Sequence, residues 1–319
     1  MKTRPPYKLP DDKQKKLKKA VALEWASIFF LLTITAVMYL TMGASQAMKT
    51  AWIEDVLSLI PPIAFLFAMR YRDRPPNAHF PYGHRRAALL SFLVAAVALL
   101  ILGLYMLYDS SMALISRHHP TLGHFDLFGW HVWSGWVMIG ALVYSMVPPV
   151  VLGRMKLPLA EALHEKTLHA DAAMNKADWM TAGAAILGIL GLGLGWWWAD
   201  AVAAGFISLD VLHDGGTNVK RAMAALMDQR PTEVASAKPL DLDERLCDDL
   251  RRRPDVVDVA VRFREEGHVV SGEVFVILAP GVDAAPAVAD IAEEASTFDW
   301  RIYNLVVMPV TTLVEERPA

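Results

Sequence analysis

Six apolar runs of roughly 20 residues dominate this chain, and each is about the length a helix needs to cross the hydrocarbon of a bilayer. They cover residues 21–42, 51–69, 87–108, 129–152, 168–192 and 198–220. A lipid interior leaves no partner for an unpaired backbone amide, so such runs fold as helices. With 54% apolar and 20% charged residues over 319 positions, the chain exceeds one small domain and fits a membrane bundle plus a small soluble unit. The predicted architecture is therefore an all-α six-helix transmembrane bundle over residues 21–228. A basic arm (1–20) precedes it; a small α+β domain (229–311) and a short tail (312–319) follow. Pro61 and Pro62 should kink the second span, and Pro148 and Pro149 lie near the end of the fourth.

Charge orients the bundle. Residues 1–20 carry eight Lys/Arg, the loop 70–86 carries Arg70, Arg72, Arg74, Arg85 and Arg86, and the loop after span four holds Arg154, Lys156 and Lys166. The alternate loops hold only Lys49 and Arg117. This positive-inside alternation puts both termini in the cytoplasm of a multi-pass protein of the inner membrane. Trp52, Trp130, Trp133 and Trp196 to Trp198 fall toward the outer interface, as an aromatic belt requires. The basic arm reads as a retained anchor at an anionic lipid face, neither a signal peptide nor, lacking aromatic platforms, a nucleic-acid binder.

The last two spans carry acids at depths where lipid tolerates few. Asp171 and Asp178 lie two turns apart in span five; Asp210 and Asp214 lie four apart in span six. An ionised carboxylate there faces a cavity, a partner or an ion pathway, so the chain reads as a membrane protein that handles cations. Asp178 with Asp210, and Asp171 with Asp214, can meet across antiparallel helices, with His213 and Glu24 nearby. Oxygen-rich sites of this kind suit manganese, magnesium or calcium better than copper. The alternative is that Asp210 or Asp214 pairs with Lys176, Lys220 or Arg221. The loop 116–128 holds His118, His119, His124 and Asp126, which read as ordinary polar loop residues rather than metal collectors, since no tight ligand spacing repeats. Single Cys247 excludes an internal disulfide and a cysteine metal site. No nucleophile–base pair supports an intramembrane enzyme. No phosphate-binding loop ending in Gly-Lys-Ser/Thr supports ATP drive. Gly183, Gly188, Gly191, Gly193 and Gly195 suggest close helix packing in span five.

Charge also divides the chain. Residues 1–230 carry 22 Lys/Arg against 16 Asp/Glu; residues 231–319 carry 9 against 18. In the acidic part, helical (241–253, 283–296) and alternating (256–263, 271–278, 301–308) segments follow in the order αββαβ, a ferredoxin-like arrangement. Three short strands bury little, so dimerisation is expected.

The six spans and the αββαβ tail resemble the cation diffusion facilitator family. So do Arg70-Tyr71 followed by Tyr82-Gly83-His84-Arg85-Arg86, Asp200 opening span six, and the Leu226-Met227-Asp228 exit. The resemblance implies a homodimeric secondary transporter that exports a divalent metal (zinc, manganese, iron or similar) in exchange for protons, with no resident cofactor. It implies a metal site at two positions four apart in span two and two in span five. These fall on Glu54 and Ser58, with Asp55 adjacent, and on Met174 and Asp178. Ser58 and Met174 are weak ligands and the set has no histidine. Either the ion is hard, or the site has moved, or transport is lost and the chain is a membrane scaffold or sensor. The family's further loop positions fall on Asn77, Phe80 and His84, with His79 close by. The tail offers only His268, so no tight metal centre is expected there.

Overall fold

A computed structural model describes residues 9–41, 46–72, 74–116, 124–127, 130–193, 196, 198–236 and 238–313. His118 and His119 lie outside the described residues. Among the described residues, four stretches are long and apolar enough to cross a membrane: Asp11–Thr41, Trp52–Arg72, Ala87–Ile115 and Gly135–Leu163. They correspond to α1 (Asp11–Thr41), the pair α2 (Gln46–Leu57) and α3 (Ile60–Arg72), α4 (Ala87–Ile115), and α5 (Ser134–Leu163). Two further helices, α6 (Lys166–Gly193) and α7 (Ala199–Leu226), pack among them. Each has 28 residues, about 42 Å of helix, with acids along its length: Asp171 and Asp178 in α6, Asp210 and Asp214 in α7.

Several boundaries differ from the sequence reading, each for a local reason. Helix α1 begins at Asp11, so half of the basic arm is helical. Asp11 and Asp12 occupy its first turn, where the helix dipole favours acids. Span four was expected over 129–152. Instead β1 (His124–Leu127) and β2 (Trp130–Trp133) form an antiparallel hairpin ahead of α5, which then runs on to Leu163. That extension carries Lys156 into the bundle.

The proline pair interrupts the helical hydrogen bonding of span two, where a kink was expected. Pro61 and Pro62 have no amide hydrogen to offer the carbonyls of Leu57 and Ser58, four residues back. The helix is interrupted at Ser58 and Leu59, and α3 starts afresh at Ile60. Close packing at glycine is seen between α4 and α7 and, in span five, not at Gly183. A Cβ at Gly183 would meet nothing within 4 Å, whereas one at Gly103 would lie 2.8 Å from the Leu212 backbone and one at Gly215 2.7 Å from that of Leu100. Those two glycines bring α4 and α7 together.

The tail forms α8 (Leu242–Leu250), β3 (Val256–Glu265), β4 (Val270–Leu278), α9 (Ala284–Phe298) and β5 (Ile302–Pro309). Strand β4 is central, antiparallel to β3 and parallel to β5, with α9 as the crossover. Both helices cover the sheet: Leu242, Leu246 and Leu250 from α8, and Ile291 and Ala295 from α9, share one core with Val259, Phe263, Val274 and Leu305. Asp283 caps α9 by accepting from the Ala285 amide at 3.2 Å.

The β3–β4 turn docks on the end of the bundle where α4 and α6 begin. Gly267 at its tip has φ of +80°, and a Cβ there would fall 2.6 Å from the Ala88 Cβ. Beneath it, Lys166 donates to Glu265 at 2.6 and 2.7 Å and to Thr232 Oγ1 at 2.7 Å. Arg72 Nη1 donates to Glu165 Oε1 and meets His268 Nδ1, both at 2.9 Å. His164 joins α5 to α6 in the left-handed region (φ 54°) and turns Nε2 toward Glu265 at 3.4 Å. Burial alone would raise the Glu265 carboxyl, but the His164 hydrogen bond and the Lys166 charge outweigh it and hold Glu265 below the usual range. His268 is pushed well below the ordinary histidine value, by burial first and then by the Arg72 and Arg85 charges. It stays neutral, which leaves Nδ1 free to accept from Arg72.

Candidate metal-transport site

The break in span two decides where the candidate ligands meet. At the end of α2, Glu54 and Asp55 are both buried, and Ser58 sits in the interruption itself. From the neighbouring α6, Asp171, Met174, Asn175 and Asp178 recur every three or four residues, so they share one helix face. Ser58 Oγ donates to Asp178 Oδ1 at 2.6 Å. Asp55 lies within electrostatic reach of Asp178, and its buried Oδ2 has no hydrogen-bond partner among the described residues. Met174 is fully buried in an apolar cluster with Leu57 and Ile60, the residues flanking the break. The carbonyls of Leu57 and Ser58, which the prolines leave without their usual amides, add oxygen donors of the kind broken membrane helices use for ions.

A second group of charges lies toward the start of α6. Lys156 of α5 donates to Asp171 Oδ2 and, at 3.1 Å, to Glu24 Oε2 of α1. Lys156 and Glu24 are fully buried and Asp171 is 2% exposed. Asn175 donates to the same Asp171 oxygen at 3.3 Å. Asp171 therefore faces α1 and α5, away from Asp214, and the expected Asp171–Asp214 meeting is corrected. The reason is register: an ammonium in a buried position requires carboxylates, and Lys156 finds two. The sequence reading left Lys156 in a loop. Its signal was legible, since Leu152, Lys156, Leu159 and Leu163 follow the helical period and the three leucines are all buried.

On the other side of α6, Lys176 donates to Asp210 at 2.9 Å, and both side chains are half-exposed. The lysine pairing weighed for Asp210 is therefore what forms, and Asp178 meets Ser58 rather than Asp210. Asp210 and Asp214 line a small cleft with Lys176, Met180 and Leu99. His213 is exposed. In the 73–86 loop, His79 is exposed and His84 stacks on Phe80 with ring centroids 4.4 Å apart. His268 is committed to Arg72 at the tail junction. Among the described residues, no three His, Cys, Asp or Glu side chains converge closely enough to hold a metal ion.

The cation efflux transmembrane domain matches residues 22–227, nearly two thirds of the sequence. The chain belongs to the cation diffusion facilitator family. It is 25% identical over 214 residues to the manganese efflux system protein MneS of Bacillus subtilis, covering 66% of this chain and 70% of that protein. It is 22% identical over 264 residues to the manganese efflux system protein MneP of the same organism, covering 80% and 82%. It is 24% identical over 184 residues to a cadmium, cobalt and zinc/H(+)-K(+) antiporter of Bacillus velezensis, covering 57% and 53%. Membership makes this chain a membrane protein of divalent metal cation transport, in a family of transporters rather than enzymes.

Proposed function

We propose that this member of the family carries a divalent cation, manganese before zinc, outward through the Asp178 site in exchange for protons. The carrying observation is the Ser58–Asp178 hydrogen bond at 2.6 Å, beside a buried Asp55 oxygen that has no hydrogen-bond partner among the described residues. Glu54, Asp55 and Asp178 supply carboxylates, Ser58 a hydroxyl, and Met174 a sulfur at the edge of the site. Hard oxygen donors without histidine favour manganese over copper or zinc. Protons and a dication compete for the same oxygens, so release of one accompanies binding of the other and no ATP is needed. The names of the Bacillus subtilis relatives, both manganese efflux proteins, support the ion and the direction.

In this reading α6 and α7 complete a six-span bundle with both termini in the cytoplasm of the inner membrane, and the tail is a ferredoxin-like dimerisation domain. Asp210 and Asp214 of α7 line a separate, small cleft beside Lys176 of α6. A non-transporting scaffold is the second reading, favoured by Ser58 and Met174 at ligand positions. Uptake into proteoliposomes, with manganese, zinc and magnesium under an imposed pH gradient, separates the two. Manganese uptake that is lost in Asp178→Ala and kept in His268→Ala supports the transporter. Equal transport by both variants overturns the site. No uptake of any ion by the intact protein favours the scaffold.

A further inference from the structure

We infer that Lys156 is a tethered cation: its ammonium stands in a carboxylate cradle that would otherwise take a second divalent ion. The inference builds on the proposed Asp178 site but concerns a separate cluster. Three helices contribute to the cradle: Glu24 from α1, Lys156 from α5, and Asp171 with Asn175 from α6. A lysine near a helix end ordinarily extends its stem and keeps its charge at the water boundary. Lys156 does the opposite, with no exposed surface at all.

The cradle has more acceptor capacity than the ammonium uses. Glu24 Oε1 is buried and makes no hydrogen bond among the described residues. Ser27 Oγ, one turn further along α1, is likewise buried and without a partner. Two carboxyl groups face one ammonium, so the cradle has room for one further positive charge, and two oxygens of α1, Glu24 Oε1 and Ser27 Oγ, remain without partners among the described residues. That donor set, carboxylates with a hydroxyl and no sulfur or imidazole, is what a hard dication selects. Asp171 and Asp178 are seven residues apart on α6, about 10 Å along its axis, and the charges of Asp171 and Lys156 both act on Asp178. A dication in the cradle would repel one at Asp178 and would itself be held among carboxylates. A side-chain ammonium neutralises the same acids, cannot be carried off, and keeps the mobile ion at the Asp178 end. Lys156 thus sets how many metal ions the bundle holds.

The test counts Mn2+ bound to the full-length protein in detergent, from the electron paramagnetic resonance signal of the free ion. Lys156→Met is expected to bind about one Mn2+ more per protomer than the unaltered protein, and the double variant Lys156→Met/Glu24→Gln is expected to lose that ion again. Lys156→Arg, which keeps the charge, is expected to gain none. If Lys156→Met folds only when Mn2+ is supplied, read as a monodisperse size-exclusion profile, the ion has replaced the ammonium and the inference stands. A folded Lys156→Met with the unaltered count overturns it. So does a gained ion that survives Glu24→Gln, or a Lys156→Met protein that stays unfolded with Mn2+ present. Loss of the original ion in Asp178→Asn bears on the proposed site alone, so the two failures are distinguishable.

Discussion

At the junction between bundle and tail, Lys166 faces Glu265 and Arg72 faces Glu165, one cation to each carboxylate, with two histidines closing the gaps. Inside the bundle the single ammonium of Lys156 faces both Glu24 and Asp171, and further along α6 Asp178 is met by a serine hydroxyl with Asp55 alongside. The two clusters lie on one helix: Lys166 opens α6 and Asp178 follows twelve residues later, about 18 Å away. A buried network whose charges cancel has no further need of an ion and acts as a joint. A buried network with surplus carboxyl groups is neutralised by a proton or by a cation, and so can exchange one for the other. The contrast separates structure from function along α6 by charge balance rather than by residue type, since both clusters use the same few residues.

The largest effect should come from the unbalanced end. Asp178→Ala is expected to reduce Mn2+ uptake into proteoliposomes to the level of protein-free vesicles, while leaving the size-exclusion profile unchanged. Glu265→Gln should do the reverse. Removing one partner of a buried pair leaves Lys166 uncompensated and should cost about 3 kcal/mol in thermal or denaturant unfolding, with Mn2+ affinity retained. If Glu265→Gln lowers Mn2+ affinity as much as Asp178→Ala does, the division between the clusters fails.

Next in size is Gly267→Ala. The added methyl meets Ala88 and the positive φ is strained, so about 1–2 kcal/mol should be lost together with docking of the turn. Faster amide exchange confined to residues 264–270, with the tail core unchanged, is the expected readout.

Acid should sharpen the same comparison. His268 and His164 are both held below their ordinary value, by burial in each case. In the unfolded chain they take up protons below about pH 6.5, whereas in the docked state they resist. Stability of the junction is therefore complete above that pH and declines as pH falls toward the folded values. Glu265, held low, adds a further loss only when pH falls below the ordinary carboxylate range. Protection of the β3–β4 turn amides, taken relative to their intrinsic exchange rate at each pH, should fall between pH 7 and 5, and His268→Ala should flatten that dependence. The smallest effect belongs to the exposed pairs of the tail. Arg251→Ala breaks a half-exposed contact with Asp258 at 3.3 Å and should change stability by under about 1 kcal/mol.

Much of the architecture was legible because period and length are local properties. The αββαβ order of the tail follows from alternation and turn residues, and the structure places each element within a few residues of the expected position. The interruption of span two follows from Pro61 and Pro62, whose missing amides act on the carbonyls just behind them. The candidate positions Ser58 and Asp178 were legible through family resemblance, and they do touch. Partners across helices were less legible. Asp171 was matched to Asp214 on depth alone, yet rotation of α6 turns it to Lys156. Lys156 was assigned to a loop because a positive charge after an apolar run ordinarily marks a span's end.

By itself the sequence determined that this chain lies in a membrane, that it carries acids at costly depths, and that its C-terminal part is a small α+β unit, because hydropathy, charge count and period depend only on neighbours along the chain. Only the tertiary structure decided which acids are already neutralised. That depends on which helix faces turn toward each other, and a lysine 15 residues from Asp171 along the chain can be its nearest counter-charge in space.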